Sequence, residues 1–386
     1  MRTASSLGRP PRRIPAVASV LLATLALAVG LTWVIGRTLT DRQQWSQYLF
    51  WLPTWVYFGV AVVLLALSVS LAWMAVVRRG KFKRWPGRFL RGAAMMLSGA
   101  MMLWAAFVEC RIHALIGRQR AMASAAPEGG LRILFWNPSS FLGIDLATPM
   151  LSIPSDLAIV DNPPWDRQMS PLADGYDNCV SLVLQPNFVV LSRFPIKRFA
   201  VTTLGLRGRE QVPSEPGGLS GIGETPTGNI DPGRAMFLEV DTTASLGRPV
   251  VVWVLDLPSD QRLARRDMMD SAARAIAAWE GQAMKPLLGG KWAIIPEPVK
   301  GFPEPDIVLG DFNTPRGSAS LQRLAPGMSN AYDQGGAGYT ASFPRGWPLL
   351  HLDQVLVAPW LRAQDYRVLD PGIARHKMQW TRLTAR

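Results

Sequence analysis

Cysteine is nearly absent: the chain holds two, Cys110 and Cys179, in 386 residues. One lies at the edge of the apolar N-terminal region and the other in the polar remainder, so no disulfide framework exists within the soluble part. Neither has a CxxC or Cys/His neighbour, which argues against a zinc site. Acidic residues are missing from the first third, where residues 1–120 carry 16 Lys+Arg against only Asp41 and Glu109. Excess basic charge is missing from the rest: 25 of the 41 basic and 26 of the 28 acidic residues follow position 120, so the net charge of +13 belongs to the N-terminal part. A near-neutral C-terminal portion has no bulk electrostatic footprint for a polyanion, which argues against long duplex nucleic acid as a partner. No internal repeat is visible, and 31 Pro with 34 Gly argue for a loop-rich globular chain over a long helical one.

What the N-terminal third has is apolar length. Residues 14–36 are uncharged and apolar for long enough to cross a bilayer core of ~30 Å as a helix. A second run, 50–77, carries Trp51, Trp55, Tyr57 and Trp73 toward its ends as interfacial anchors. A third, 90–109, is near the lower length limit and rich in Ala, Met and Gly; its basic flanks favour a span over a buried or surface-lying hairpin helix. A cleaved signal peptide at the first run is disfavoured by the two runs that follow it and by the lack of a clear Ala-x-Ala site. Residues 1–120 therefore read as a membrane region that meets the lipid bilayer, 121–130 ("AMASAAPEGG") as a linker, and 131–386 as a separate domain.

Orientation follows from the basic residues of the short loops. Arg2, Arg9, Arg12 and Arg13 precede the first run, and Arg78, Arg79, Lys81, Lys83, Arg84, Arg88 and Arg91 follow the second, with only Arg37 and Arg42 between them. The positive-inside rule puts the tail and the 78–91 loop in the cytoplasm. Three spans then place everything after about residue 110 outside, as in an integral protein of a bacterial inner membrane; two spans would leave the domain in the cytoplasm.

From residue 131 on, apolar strands alternate with Pro/Gly punctuation: "LRILFWN" (131–137), "DLAIVDN" (156–162), "CVSLVLQ" (179–185), "FVVLSRF" (188–194), "AMFLEVD" (235–241), "PVVVWVLDL" (249–257), "PDIVLGDFN" (305–313) and "LDQVLVA" (352–358). One helix is expected over 261–281, and 205–234 and 285–305 read as surface insertions. The pattern predicts an α+β domain built on a two-layer sheet sandwich with flanking helices.

Polar residues fall at the strand ends: Asn137, Asp161 and Asn162, Asp256, Asp311 and Asn313, with Asp353 opening the last strand. Strand ends gathered at one edge of a sandwich make a concave polar site. In "GDFN" (310–313), Gly310 is expected to permit a tight turn, and Asp311 and Asn313, two apart in an extended segment, to point to one side. An Asx turn is the plainer reading of an isolated Asp-x-Asn. By the same alternation Asp161 and Asn162 face opposite ways, and Asp161 serves the site only if its strand slips by one residue.

The "GDFN" motif, with "LRILFWN" ending in Asn137, "VVLSRFPI" at 189–196 and "LDQVLVAPWL" at 352–361, resembles the endonuclease/exonuclease/phosphatase superfamily, whose type member is a pancreatic deoxyribonuclease. Arg265 or Arg266, after "DLPSD", is similar to an arginine in the family's helix at that point. The resemblance implies a deoxyribonuclease-I-like four-layer αββα sandwich and magnesium- or manganese-dependent phosphoester cleavage, in which the metal neutralises the phosphate and an Asp aligns the attacking water. It assigns Asn137 to the metal and phosphate edge, Asp311 to water orientation, Asn313 to a phosphate oxygen and His376 to the terminal histidine.

Three positions depart from the family. Asp161-Asn162 stands where it has Gln and a metal-binding Glu, Asp256 where it has a catalytic His, and Arg375-His376 where it has Asp-His. Two outcomes follow. Asp161, Asp256 and Asp311, with Asn162, rebuild the metal site of a hydrolase acting on a small phosphoester or lipid headgroup, with Arg375 adding fixed charge to the phosphate. Alternatively, the domain is a membrane-tethered binding module that has lost its metal. His351, two residues before Asp353, reads as a structural partner.

Overall fold

The computed structural model describes residues 14–77, 87–115, 129–139, 145–163, 176, 182–184, 188–209, 230–287 and 292–386. The N-terminal tail, the loop at 78–86, the linker up to residue 128, Cys179 and most of the 205–234 segment lie outside them. Two compact units are present: one runs to Cys110 without Asp41–Gln44, and the other comprises Asp41–Gln44 and Arg111–Arg386.

The first unit holds α1 (Ile14–Leu39), α2 (Gln44–Trp51), α3 (Thr54–Val77) and α4 (Arg88–Trp104), the last prolonged by a π-helical turn to Glu109. Three helices, Ile14–Leu39, Thr54–Val77 and Arg88–Glu109, are long and apolar enough to cross a membrane. The second run is shorter at its start than expected. The helix breaks at Leu52-Pro53, because Pro53 has no N–H and its ring blocks the preceding turn, so the candidate span begins at Thr54. Small residues line the helix contacts, including Ala23, Ala26 and Gly30 on α1 and Ala61, Ser68 and Ala72 on α3, and they permit close approach of the backbones. Polar side chains close the bundle from within: Ser19 and Ser68 bond each other's carbonyls, Arg91 Nη1 donates to Ser19 Oγ at 2.9 Å, and Arg37 pairs with Glu109 at 3.2 Å.

The second unit is a sandwich of two sheets. Six strands form one sheet in the order β15 (Leu361–Leu369), β16 (Met378–Ala385), β1 (Leu131–Trp136), β2 (Leu157–Asp161), β4 (Phe188–Ser192), β3 (Leu182–Leu184). Eight form the other: β11 (Trp292–Lys300), β10 (Glu280–Pro286), β5 (Ile196–Thr203), β8 (Arg234–Val240), β9 (Val250–Asp256), β12 (Ile307–Asp311), β14 (Asp353–Val357), β13 (Ser329–Asn330). A short pair, β6 (Gly208–Arg209) and β7 (Ile230–Asp231), stands apart.

Strand alternation decides the layers. Leu131, Ile133 and Phe135 of β1 and Leu157 and Ile159 of β2 share one core with Met236 and Leu238 of β8, Val252 and Val254 of β9, and Ile307 and Leu309 of β12. The intervening residues face outward: Trp253, Leu255 and Val308 pack under Met268, Met269, Ala272 and Ile276 of the helix Arg265–Ala277, and Leu134, Trp136 and Val160 pack with Met150 of the short helix Ala147–Leu151. The result is the expected layered αββα arrangement.

Two expectations need correction. The helix spans Arg265–Ala277, not 261–281, because the chain turns at Ala278 and Trp279 and enters β10 at Glu280. The 285–305 segment is no surface insertion: it supplies most of the β10–β11 hairpin, which forms an edge of the eight-stranded sheet. Pro296 and Pro298 disguised β11 as loop, and an edge strand tolerates them because one side of its ladder is unpaired.

Candidate functional site

The inner-facing rows of the strands are apolar until their last position, and there they turn acidic. The row of Ile307 and Leu309 continues to Asp311, that of Val252 and Val254 to Asp256, that of Leu157 and Ile159 to Asp161, that of Ile133 and Phe135 to Asn137, and that of Val355 and Val357 begins at Asp353. Register aligns them, since Asp311 pairs with Asp256 on the parallel neighbour β9 and with Asp353 on the antiparallel neighbour β14. In the other sheet Trp136 lies opposite Val160, which puts Asn137 beside Asp161. Asn137 Nδ2 donates to Asp311 Oδ2 at 2.9 Å and joins the two sheets. All these side chains are buried.

Gly310 permits a close strand approach, not the expected turn. At φ +145° a Cβ there would stand 1.9 Å from the Leu255 carbonyl oxygen on β9. The strand ends at Asp311, and Asn313 adopts φ +46°. Asp311 Oδ1 accepts the Asn313 N–H at 2.9 Å, so the Asx turn is made and the shared side expected from strand alternation does not apply. The Asn313 amide donates to the Leu257 carbonyl at 2.7 Å, tying the segment after β9 to the end of β12. Arg265 braces the same segment, with Nη1 on the Pro258 carbonyl at 2.7 Å and Nη2 on that of Asp260 at 3.1 Å.

Asp161 belongs to the inner face without any register slip, which corrects the expectation. Asn162 leaves the strand at φ +48°, so alternation no longer separates the two, and its amide reaches Asp256 Oδ2 at 3.3 Å. Arg234, on the inner row of β8, donates to the same oxygen at 3.1 Å. Both Asp161 oxygens are buried and make no well-formed hydrogen bond among the described residues.

His376 Nδ1 faces the Asp353 carboxylate at 3.1 and 3.2 Å, and Nε2 lies 3.8 Å from Asp311 Oδ2. Replacement of the expected Asp at 375 therefore leaves the imidazole with a carboxylate, supplied by β14. The Phe343 ring lies against it with centroids 4.7 Å apart. Arg375 sits beside this group, its guanidinium carbon 5.6 Å from the Phe343 centroid. His351 is buried and shares a hydrogen bond with the Tyr366 hydroxyl at 3.1 Å; burial, helped by Arg316, draws its pKa down to about 3 and keeps it neutral.

Crowded carboxylates raise one another's pKa values in the dry site. Burial, then Asp231 and Asp311, lift Asp256 to about 7 despite Arg234. Burial and Asp353 lift Asp311 to about 6. Burial, Asp256 and Asp311 push Asp161 well above the ordinary range. For His376 burial pulls downward, but Asp353 and Asp311 together outweigh it, and its pKa is raised. Asp311, Asp353 and His376 offer ligand atoms within 4.8 Å of one another. Both imidazole nitrogens face carboxylates, Asp353 at Nδ1 and Asp311 at Nε2.

Asn137, Asp161, Asn162, Asp256, Asp311 and His376 thus meet at one end of the sandwich, Asn313 braces it and Arg375 flanks it. Arg234 was assigned no role by sequence reasoning, although it is the one charge on an otherwise apolar inner row of β8. Asp353 was visible as a polar strand start and His376 as a site residue, but their pairing across 23 residues was not.

Comparison with known proteins supplies an independent finding. The family described as Endonuclease/Exonuclease/phosphatase family matches residues 160–376. Similar solved structures include an endonuclease/exonuclease/phosphatase from Beutenbergia cavernae, at 14% identity over 67% of this chain and 72% of that one (TM-score 0.42). A mannosyl-6-phosphatase from Bacteroides thetaiotaomicron is 12% identical over 66% and 99% (TM-score 0.43). A further family protein from the same organism is 12% identical over 66% and 97% (TM-score 0.42). No curated protein matches the chain.

Proposed function

The chain belongs to the endonuclease/exonuclease/phosphatase family of phosphoesterases, and from that premise we propose that it is a membrane-anchored hydrolase that cleaves phosphoester bonds with Mg2+ or Mn2+. The observation that carries this reading is Asp161, a buried carboxylate whose oxygens make no well-formed hydrogen bond among the described residues, with only a weak approach from the Asn162 N–H, while Asp256 and Asp311 crowd it with like charge. A buried charge so placed is strongly unfavourable unless a cation or a proton joins it. The donor set, carboxylate and amide oxygens, fits a hard divalent ion. Asp161, Asp311 and Asn162, with Asp256 beside them, would hold it, and when bound it neutralises phosphate charge and stabilises the leaving oxygen.

The remaining groups have separable tasks. Asp311 is fixed at one oxygen by the Asn137 amide and at the other by the Asn313 N–H, so its carboxylate is oriented to accept a proton from an attacking water. Asn137 is itself held, its Oδ1 accepting the Ser139 N–H at 2.9 Å. Asp353 fixes the His376 ring through Nδ1, so Nε2 is the atom that carries a proton toward a phosphate oxygen. A near-neutral domain held at a bilayer by apolar spans suits a small phosphoester or a lipid headgroup better than long duplex nucleic acid. With three spans and the basic loops inside, the domain lies outside the cytoplasm.

The test is thermal melting of the full chain with and without Mg2+ or Mn2+, paired with hydrolysis of a chromogenic phosphate ester. At a hundredfold excess over Kd the ion stabilises the folded state by about 2.7 kcal/mol. Asp311→Ala should remove both the shift and the activity. A wild-type chain with neither metal shift nor ester cleavage is instead the binding module.

A further inference from the structure

The loop that precedes β14 has an uncharged tip beside the site. Phe343 and Leu350 bridge its base: the Phe343 carbonyl accepts from Leu349 N at 2.8 Å and Leu350 N at 2.9 Å, and the Leu350 carbonyl accepts from Phe343 N at 3.0 Å. Arg345 clamps the loop from the side, with its N–H on the Arg375 carbonyl at 2.7 Å and its Nε on that of Ala374 at 3.1 Å. The tip, "GWPLL" (346–350), leaves Trp347 80% exposed. Tyr339, 52% exposed, adjoins it, its hydroxyl donating to the Pro348 carbonyl. Exposed apolar residues scattered singly are ordinary, but two large aromatics held together on a clamped loop form a patch. Each has an apolar ring and one polar tip, the chemistry that settles between hydrocarbon and water.

The chain itself marks where a lipid surface lies. Asp41 and Gln44, just past the end of α1 at Leu39, belong to the soluble unit. Asp41 Oδ1 accepts the Ser320 N–H at 3.1 Å, and Gln44 Nε2 donates to the Arg262 carbonyl at 2.7 Å. Ser320 and Arg262 lie on the segments that leave β12 after Asp311 and β9 after Asp256, at the site end of the strands. The Trp347 loop joins the same end, because Arg316 N donates to the His351 carbonyl at 3.1 Å and Phe343 packs on His376. A chain covers at most ~3.6 Å per residue, so Asp41 stands within about 7 Å of the residue at which the first apolar helix stops. In a bilayer crossed by that helix, this is the lipid–water boundary. We propose that the 343–350 loop is an interfacial anchor, with Trp347 and Tyr339 seated in the headgroup boundary of the phospholipid bilayer that holds the chain. The inference rests on the apolar helices spanning that bilayer and goes beyond the phosphoester reading. Because its base packs on His376, the anchored loop holds the mouth of the site at the lipid surface.

The experiment is fluorescence quenching of the full chain in phospholipid nanodiscs, with a genetically encoded fluorescent amino acid at position 347. The control position is the exposed Ala244, between β8 and β9 at the opposite end of the strands from the site. A nitroxide carried on the lipid near its headgroup should lower emission at 347 by roughly twofold or more and at 244 by less than about 1.2-fold, since interfacial groups sit ~5–10 Å into the boundary. Iodide in the buffer should do the reverse. Trp347 is exposed, so the labelled chain should melt as wild type does; the same label at Tyr339 repeats the test if it does not. Equal lipid quenching at the two ends overturns the inference. So does a label at 347 that neither nitroxide nor iodide reaches, the outcome of a second copy or another protein seated on the tip. A chain that does not enter the nanodisc loses the membrane reading and the anchor together. Ester hydrolysis in the same nanodiscs is read separately: a chain that shows the quenching and cleaves no ester keeps the anchor and loses the hydrolase.

Discussion

Raising the pH of the metal-free chain should destabilise the soluble unit, because its site buries carboxylates that prefer to be protonated. Asp256 is lifted from its ordinary 3.8 to about 7, and Asp311 to about 6. A group whose folded pKa exceeds its unfolded value contributes stability that is complete below the unfolded pKa and lost as pH rises through the folded one. Asp161 and His376, both raised, act in the same direction. For Asp256 alone, ionising the folded form is disfavoured by about 4 kcal/mol, of which roughly 2 kcal/mol falls between pH 5 and 7. These acids interact, so their separate figures do not add. In a domain of this size the fall in melting temperature should be on the order of 5–10 °C. The assay is differential scanning calorimetry in detergent with chelator, at half-unit steps from pH 5 to 8.5. Asp256→Asn should flatten the profile, and Mg2+ should restore wild-type stability at the alkaline end. A melting temperature that is level or rises over this range, or an Asp256→Asn profile as steep as wild type, refutes the reasoning.

Three other outcomes can be checked directly. Asp353→Asn leaves His376 buried without its carboxylate, so kcat should drop by roughly 10²–10⁴ and the pH–rate limb assigned to His376 should move to lower pH; an unmoved limb contradicts the pairing. Gly310→Ala places a Cβ 1.9 Å from a backbone oxygen, so urea denaturation should show a loss above about 4 kcal/mol or no folded protein at all, and a mild effect rejects the close-approach explanation. Compartment-specific reporter fusions at Gly80 and Gly130 should give opposite answers, and equal answers remove Arg88–Glu109 as a span.

Much of this protein is written in local order. Apolar length and basic loops mark the three candidate spans, and "GDFN" with its companion segments points to the family and its sandwich. Alternation along each strand, followed to its end, is enough to put Asn137, Asp256 and Asp311 on inner faces, whereas for Asp161 the sequence reading calls for a register slip that does not occur. Tertiary structure decided what each polar end does, because hydrogen bonds in the site join residues far apart in sequence: Asn137 to Asp311 across the sheets, Arg234 to Asp256 across β8 and β9, and Asp353 to His376 across a loop. Left-handed backbone at Asn162 and Asn313 also lay beyond pattern reading, since the two-residue period holds only while the strand lasts. Gly310 shows the division most simply: the sequence requires a residue without a Cβ, and only the neighbouring strand β9 explains why.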